Sequence, residues 1–204
     1  MKTRLLILLL AFFLAVPCFA EEMNSKAQFE LAGKYENGHG VKKNFAKALE
    51  LYRGAAEAGY PLAQSTLGYM YLYGDGVNQD FKQAMEWNQK AAEAGDSYGQ
   101  LNLGVMFDAG TGVPKDKEKA NAWYRKAANQ GQTAAQLNLG VNYWRGDGVT
   151  RNYSTAYQLL THVRMTAREP KARWKARSVL DQLEPLMTKK EIKEAAAKHN
   201  EPLE

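Results

Sequence analysis

The sequence predicts an all-α protein, a right-handed α/α superhelix (solenoid) of stacked helix pairs closed by C-terminal capping helices. Three observations carry that expectation. A unit of 36 residues runs four times without a gap, at 25–60, 61–96, 97–132 and 133–168, and a period of that length marks helical solenoids. Each copy holds two segments whose apolar residues recur at helical spacing. Between the two segments every copy places a Gly-x-Gly, which supplies positions free to take positive φ and so end a helix.

The register is kept column by column. Leucine falls at Leu31, Leu67, Leu103 and Leu139, and an aromatic follows at Tyr35, Tyr71, Phe107 and Tyr143. The glycine pairs are Gly38/Gly40, Gly74/Gly76, Gly110/Gly112 and Gly146/Gly148, each followed by Val41, Val77, Val113 or Val149. Alanine returns at Ala48, Ala84, Ala120 and Ala156.

Taken from its start, the chain opens with residues 1–20, which read as a secretory signal peptide. Lys2 and Arg4 precede an apolar run from Leu5 to Val16, and Cys18 and Ala20 flank Phe19, so cleavage is expected after Ala20. A retained anchor or a lipid-modified Cys18 are the alternatives. The run falls short of the about 20 residues that span a bilayer, and Pro17 suits lipid processing poorly. Cleavage would remove the single cysteine, leaving no disulfide in the mature chain, and would lower the net charge from +5 to +3. That charge is too mild to imply nucleic acid. No later segment is apolar enough for a membrane, so the mature chain is expected in the periplasm or secreted beyond it.

Copy one reads as an N-terminal cap. Lys26, Glu30, Lys34 and Glu36 make its first helix more charged than those that follow, as a terminal repeat with one neighbour requires. Copy three shows the unit most fully. Gly99, Leu103, Gly104 and Phe107 form the stripe of its first helix. Asp116 reads as the N-cap of its second, as do Asn44, Asp80 and Asn152 in the same column. On that second helix Ala120, Trp123, Ala127 and Ala128 share a face. Small residues at Gly104 and Ala127–Ala128 predict a close approach of the two helices, with Trp123 filling the space beside them. Gly131 should end the pair, and Ser97 and Thr133 are expected to cap the next first helices. In copy four, Val163, Arg164 and Ala167 stand where other copies have Ala, Ala and Gly, so the regular array stops there.

The remainder, 169–204, is expected to close the array. Ala172, Ala176, Val179, Leu180 and Leu183 predict a helix over 171–184, which Pro185 breaks. Thr188 and Glu191 have capping-box spacing and open a last helix running to about Lys198.

The shared pattern, A-x-x-x-L-G-x-x-Y-x-x-G-x-G-V-x-x-D-x-x-K-A-x-x-W-Y-x-K-A-A-x-x-G, resembles the Sel1-like repeat, a relative of the tetratricopeptide repeat with a longer loop between its helices. Copy two matches it at Ala63, Leu67, Gly68, Tyr71, Gly74, Gly76, Val77, Asp80, Ala84, Trp87, Lys90, Ala91, Ala92 and Gly95. The resemblance implies an α-solenoid that binds other proteins. Some members staple each repeat with a cysteine pair, and this chain departs from them. Some small exported members are immunity proteins that neutralise a toxin in the envelope; that role, and a factor secreted to act on host proteins, stand as alternatives to a general scaffold or adaptor.

Catalysis finds little footing in the residues. His39, His162 and His199 are far apart and offer no metal-ligand spacing. Some Sel1-like proteins are described as binding β-lactams, yet no Ser-x-x-Lys occurs. A hydrolase or β-lactam-binding enzyme is therefore the remotest reading. No catalytic residue, cofactor or metal is expected.

Recognition is expected instead on the first helices. Two neighbouring columns change residue type from copy to copy: Glu36, Leu72, Asp108, Trp144, and Asn37, Tyr73, Ala109, Arg145. In a solenoid these should line the concave groove, where Tyr, Trp and Arg serve as anchors. Tyr69, Leu72, Tyr73, Asp108, Trp144 and Arg145 are the candidate partner-binding residues. A basic run, Arg164, Arg168, Lys171, Arg173, Lys175 and Arg177 against Glu169, is a second candidate, either a solvated helix face or a patch for an acidic protein or anionic envelope polymer. The expected partner is another protein whose identity the residues leave open, an envelope protein and an effector toxin among the candidates.

Overall fold

The computed structural model describes residues 24–198, and those residues carry helices and turns with no strand among them. The expected cleavage after Ala20, the fate of Cys18 and His199 lie outside the described residues. The chain gathers into two compact units that divide between Ala94 and Gly95. The first holds α1 (24–37), α2 (Phe45–Glu57), α3 (Pro61–Tyr73) and α4 (Phe81–Glu93). The second holds α5 (Ser97–Ala109), α6 (Lys117–Asn129), α7 (Thr133–Arg145), α8 (Tyr153–Thr166), α9 (Pro170–Leu183) and α10 (Lys189–Ala197).

Each copy is one helix pair, and its loop is built the same way each time. In the three later copies the first helix ends on a left-handed glycine, Gly74, Gly110 or Gly146, with φ of 70–78°. The second helix starts at the expected caps. Asn44, Asp80, Asp116 and Asn152 accept from the backbone N–H of Lys47, Gln83, Lys119 and Thr155. The backbone N–H of each cap also reaches back to the aromatic column, donating to the carbonyls of Tyr35, Tyr71, Phe107 and Tyr143 at 2.8–3.0 Å. The loop is thus closed by hydrogen bonds at both of its ends.

Two details depart from the sequence expectation. Ser97 and Thr133 are the first helical residues of α5 and α7, not their caps. Asp96 caps α5, accepting from Gly99 N–H at 2.8 Å, and Gln132 precedes α7 with no side-chain cap. The space beside Gly104 is filled by Tyr124, not Trp123. Tyr124 is fully buried with Ala120, Ala127 and Ala128, whereas Trp123 is half-exposed under the Lys126 ammonium, 4.0 Å from its ring centroid.

The close approach itself is present. A Cβ on Gly104 would lie 2.4 Å from the Tyr124 ring, and one on Gly68 would lie 2.4 Å from the Asn88 side chain. Copy four relaxes the contact, with Leu160 3.0 Å away from a Cβ on Gly140. Buried glutamines then tie one copy to the next. Gln64 Nε2 donates to the Ala56 carbonyl at 3.1 Å and Gln136 Nε2 to the Ala128 carbonyl at 3.2 Å. Arg53 donates to the Tyr71 hydroxyl, and Arg125 to the Tyr143 hydroxyl.

In the second unit α9 packs on α8 and α7, burying Ala176, Leu180 and Leu183 against Leu160 and Val163. After the short 3-10 turn Glu184–Leu186 that holds Pro185, the capping box at Thr188 and Glu191 opens α10, which packs on α8.

Candidate partner-binding surfaces

The two variable columns separate cleanly by environment. Asn37, Tyr73, Ala109 and Arg145 are all exposed. Glu36, Leu72, Asp108 and Trp144 are all buried or half-buried. Leu72 is only 3% exposed, which removes it from the candidate contacts. Its column turns inward, and its polar members are occupied within the scaffold. Tyr52 O–H donates to Glu36 at 2.7 Å, and burial followed by that carboxylate raises the phenol pKa. Asp108 is half-buried and pairs with the Lys117 ammonium at 2.5 Å, so it serves the scaffold before any partner.

In the first unit Tyr69 and Tyr73 stand together on α3 with ring centroids 4.6 Å apart. Tyr73 is 52% exposed, and its phenol pKa is raised by burial and then by Tyr69, so it stays a neutral hydrogen-bonding group at ordinary pH. The pair forms an exposed aromatic ledge at the end of the helix.

In the second unit Trp144 is half-buried against the α8–α9 core, and the Arg145 guanidinium lies 5.4 Å from its ring centroid. Both line a cavity of about 410 Å³ with Leu137, Val141, Val179 and Lys175. Lys117 forms part of the wall and is drawn to two carboxylates, Asp108 and, at 3.8 Å, Asp147. Behind it Asn121 donates to the Asp147 carbonyl and Asn142 to Asn121, both at 2.7 Å, which fixes the loop that carries Asp147. A second cavity of about 720 Å³ shares Leu137, Asn138 and Lys175 with the first. Tyr98, Arg168, Lys171 and Ala172 help to line it. The two form one trough along α7 and α9.

All six residues of the basic run, Arg164, Arg168, Lys171, Arg173, Lys175 and Arg177, are exposed. The structure brings Arg168, Lys171 and Lys175 to the trough with Arg145 and Trp144, joining two candidate sets that the sequence kept apart. It also adds a residue that the sequence reading passed over. Trp174 is 69% exposed and lines the first cavity. The signal was there, since Trp174 lies off the stripe of Ala172, Ala176, Val179, Leu180 and Leu183. A large apolar residue off the buried stripe is unexplained by packing.

No described helix is long and apolar enough to cross a membrane. Among the described residues, no group of three or more His, Cys, Asp or Glu side chains could hold a metal ion. His39 is an exposed loop residue.

Comparison with known proteins places the repeat. The Sel1 repeat profile matches at 25–60, 61–96, 97–132 and 133–161. The last match stops within α8, beyond which Val163, Arg164 and Ala167 depart from the pattern. A Sel1 repeat protein from Oxalobacter formigenes is 29% identical with a TM-score of 0.72, over 88% of this chain and 74% of that one. A protective antigen of uropathogenic Escherichia coli strains, displaying an SLR fold, is 31% identical with a TM-score of 0.57. That likeness covers 90% of this chain and 47% of the antigen, so the chain spans about half of its length. No curated protein matches the chain.

Proposed function

Because the chain belongs to the Sel1 repeat family, whose members generally mediate protein–protein interaction and are typically non-catalytic, we propose that it is an exported scaffold that holds a partner protein. The observation that carries the reading is the exposed Trp174 beside Trp144 and Arg145 on one trough of the second unit. Trp and Arg dominate binding hot spots, because one side chain buries a large area and adds a directional polar contact. An isolated scaffold gains nothing from leaving an indole 69% exposed. The Tyr69–Tyr73 ledge of the first unit is a second contact area of the same kind.

Export rests on residues 1–20, where a basic start, an apolar run and a small-x-small site stand in order. The mature chain then begins at Glu21 and carries no thiol, and its fold depends on packing and loop hydrogen bonds alone.

Expression in the native host with a C-terminal tag tests both parts. Intact-mass analysis of the exported chain should give a start at Glu21; a mass that includes Cys18, or an added lipid, overturns the export reading. Affinity capture from envelope extract should retain a discrete protein with wild type and lose it with Trp174→Ala. Equal capture by both overturns the trough as the contact surface.

A further inference from the structure

We propose that the trough along α7 and α9 takes an acidic segment of the partner, with an aromatic or leucine side chain seated in the cavity that Trp144 and Trp174 line. The inference rests on the reading of the chain as a protein-binding scaffold and gives its ligand a chemistry.

Charge comes first. Five cations line the two cavities, Lys117, Arg145, Arg168, Lys171 and Lys175, against three carboxylates, Asp108, Asp147 and Glu169. Two of those carboxylates are already drawn to Lys117, at 2.5 and 3.8 Å. Among the described residues no ion pair engages Arg145, Arg168, Lys171 or Lys175. The trough therefore offers four cations with a single acid left to oppose them, a surface whose complement is a run of Asp or Glu. Arg145 adds a planar fork suited to carboxylate, preset over the Trp144 ring.

The apolar walls decide between a polypeptide and an anionic polymer. Leu137, Val141 and Val179 face the first cavity, Ala172 the second, and Trp174 and Tyr98 are both more than half-exposed at their edges. A phosphate-rich polymer would cover the cations and leave those walls wet. A peptide that alternates acids with one or two large apolar side chains covers both. Aromatic anchors with charged surroundings also divide the work. The anchors slow dissociation, while the cations steer encounter and lose effect as salt rises.

The test is selection of a random peptide library displayed on phage against the full mature chain at physiological salt. The expected result is enrichment of peptides rich in Asp and Glu that carry at least one aromatic or leucine. A labelled peptide of the selected consensus, followed by fluorescence anisotropy, should bind at least tenfold more weakly to Arg145→Glu/Lys175→Glu and to Trp174→Ala. Should the charge-reversed variant lose its helical circular dichroism, Trp174→Ala alone decides, since its side chain is 69% exposed. Selected peptides with no acidic bias overturn this inference and leave the scaffold reading standing; no selected peptide at all overturns both. Displacement of the peptide by inorganic polyphosphate, with binding indifferent to Trp174→Ala, assigns the surface to polyanions and overturns the proposal. Enrichment of this chain's own sequence makes a second copy the occupant and does the same.

Discussion

Replacing Gly104 by alanine adds one methyl group between α5 and α6, where the paired helices come closest. The new Cβ would stand 2.4 Å from Tyr124 Cδ1 and 2.5 Å from Cε1, far inside the about 3.5–4.0 Å of ordinary carbon contact. Tyr124 cannot yield by swinging outward, since it is 1% exposed and packed in the core with Ala120 and Ala127. Alanine regains about 1 kcal/mol of helix propensity over glycine. Overpacking costs about 1–3 kcal/mol, and so short a contact belongs at the top of that range. The expected net loss is about 2 kcal/mol, or about 4–8 °C in melting temperature for a chain of this size. Gly33→Ala is the matched control. Its Cβ would meet nothing nearer than the Tyr52 hydroxyl at 3.7 Å, so the propensity gain survives and stability should rise by up to about 1 kcal/mol. Thermal and urea unfolding followed by circular dichroism reads both. If the two variants shift stability in the same direction by similar amounts, the close helix contact is refuted.

The buried glutamine that ties copy three to copy four makes a second test. Gln136→Ala removes the bond to the Ala128 carbonyl, which keeps its bond from Gly131 N–H, so urea unfolding should show a loss of about 1–2 kcal/mol. The exposed Gln182→Ala should stay within about ±0.5 kcal/mol. Acid should act on the start of α6. The Lys119 backbone N–H lowers the Asp116 pKa, so the cap's contribution is complete above the ordinary carboxylate range of about 3.9 and is lost as pH falls through the lower folded value. The Lys119 amide resonance should follow a titration with its midpoint below that range. Asp116→Asn, which still caps, should abolish the titration, and a midpoint at or above the ordinary value would contradict the hydrogen bond.

Local chemistry made the helix pairs legible in the sequence. A residue that must take positive φ is nearly always glycine, so Gly74, Gly110 and Gly146 announced where the first helices stop. Caps need short oxygen-bearing side chains, and Asn44, Asp80, Asp116 and Asn152 are of that kind. The errors arose where two adjacent residues offered the same chemistry. Trp123 and Tyr124 are neighbouring aromatics, and only packing shows which one meets Gly104. Asp96 and Ser97 are both capping types, and the helix begins one residue earlier than expected. The candidate site was less legible, because variation along a column does not distinguish exposure from private pairing. Leu72 varies because it is filled by the scaffold, and Asp108 because it answers Lys117. Arg145 varies on the open surface. The link between Arg145 and Lys175 comes from the way α9 folds back on α7, which no repeat period encodes.

The most direct measurement places a photo-crosslinking amino acid, one position at a time, at Trp174, Arg145 and the exposed Glu86 of α4 in the living host cell. The account predicts a discrete adduct of higher mass from Trp174 and from Arg145, and none from Glu86. Adducts from all three positions alike, from Glu86 alone, or from none would contradict it.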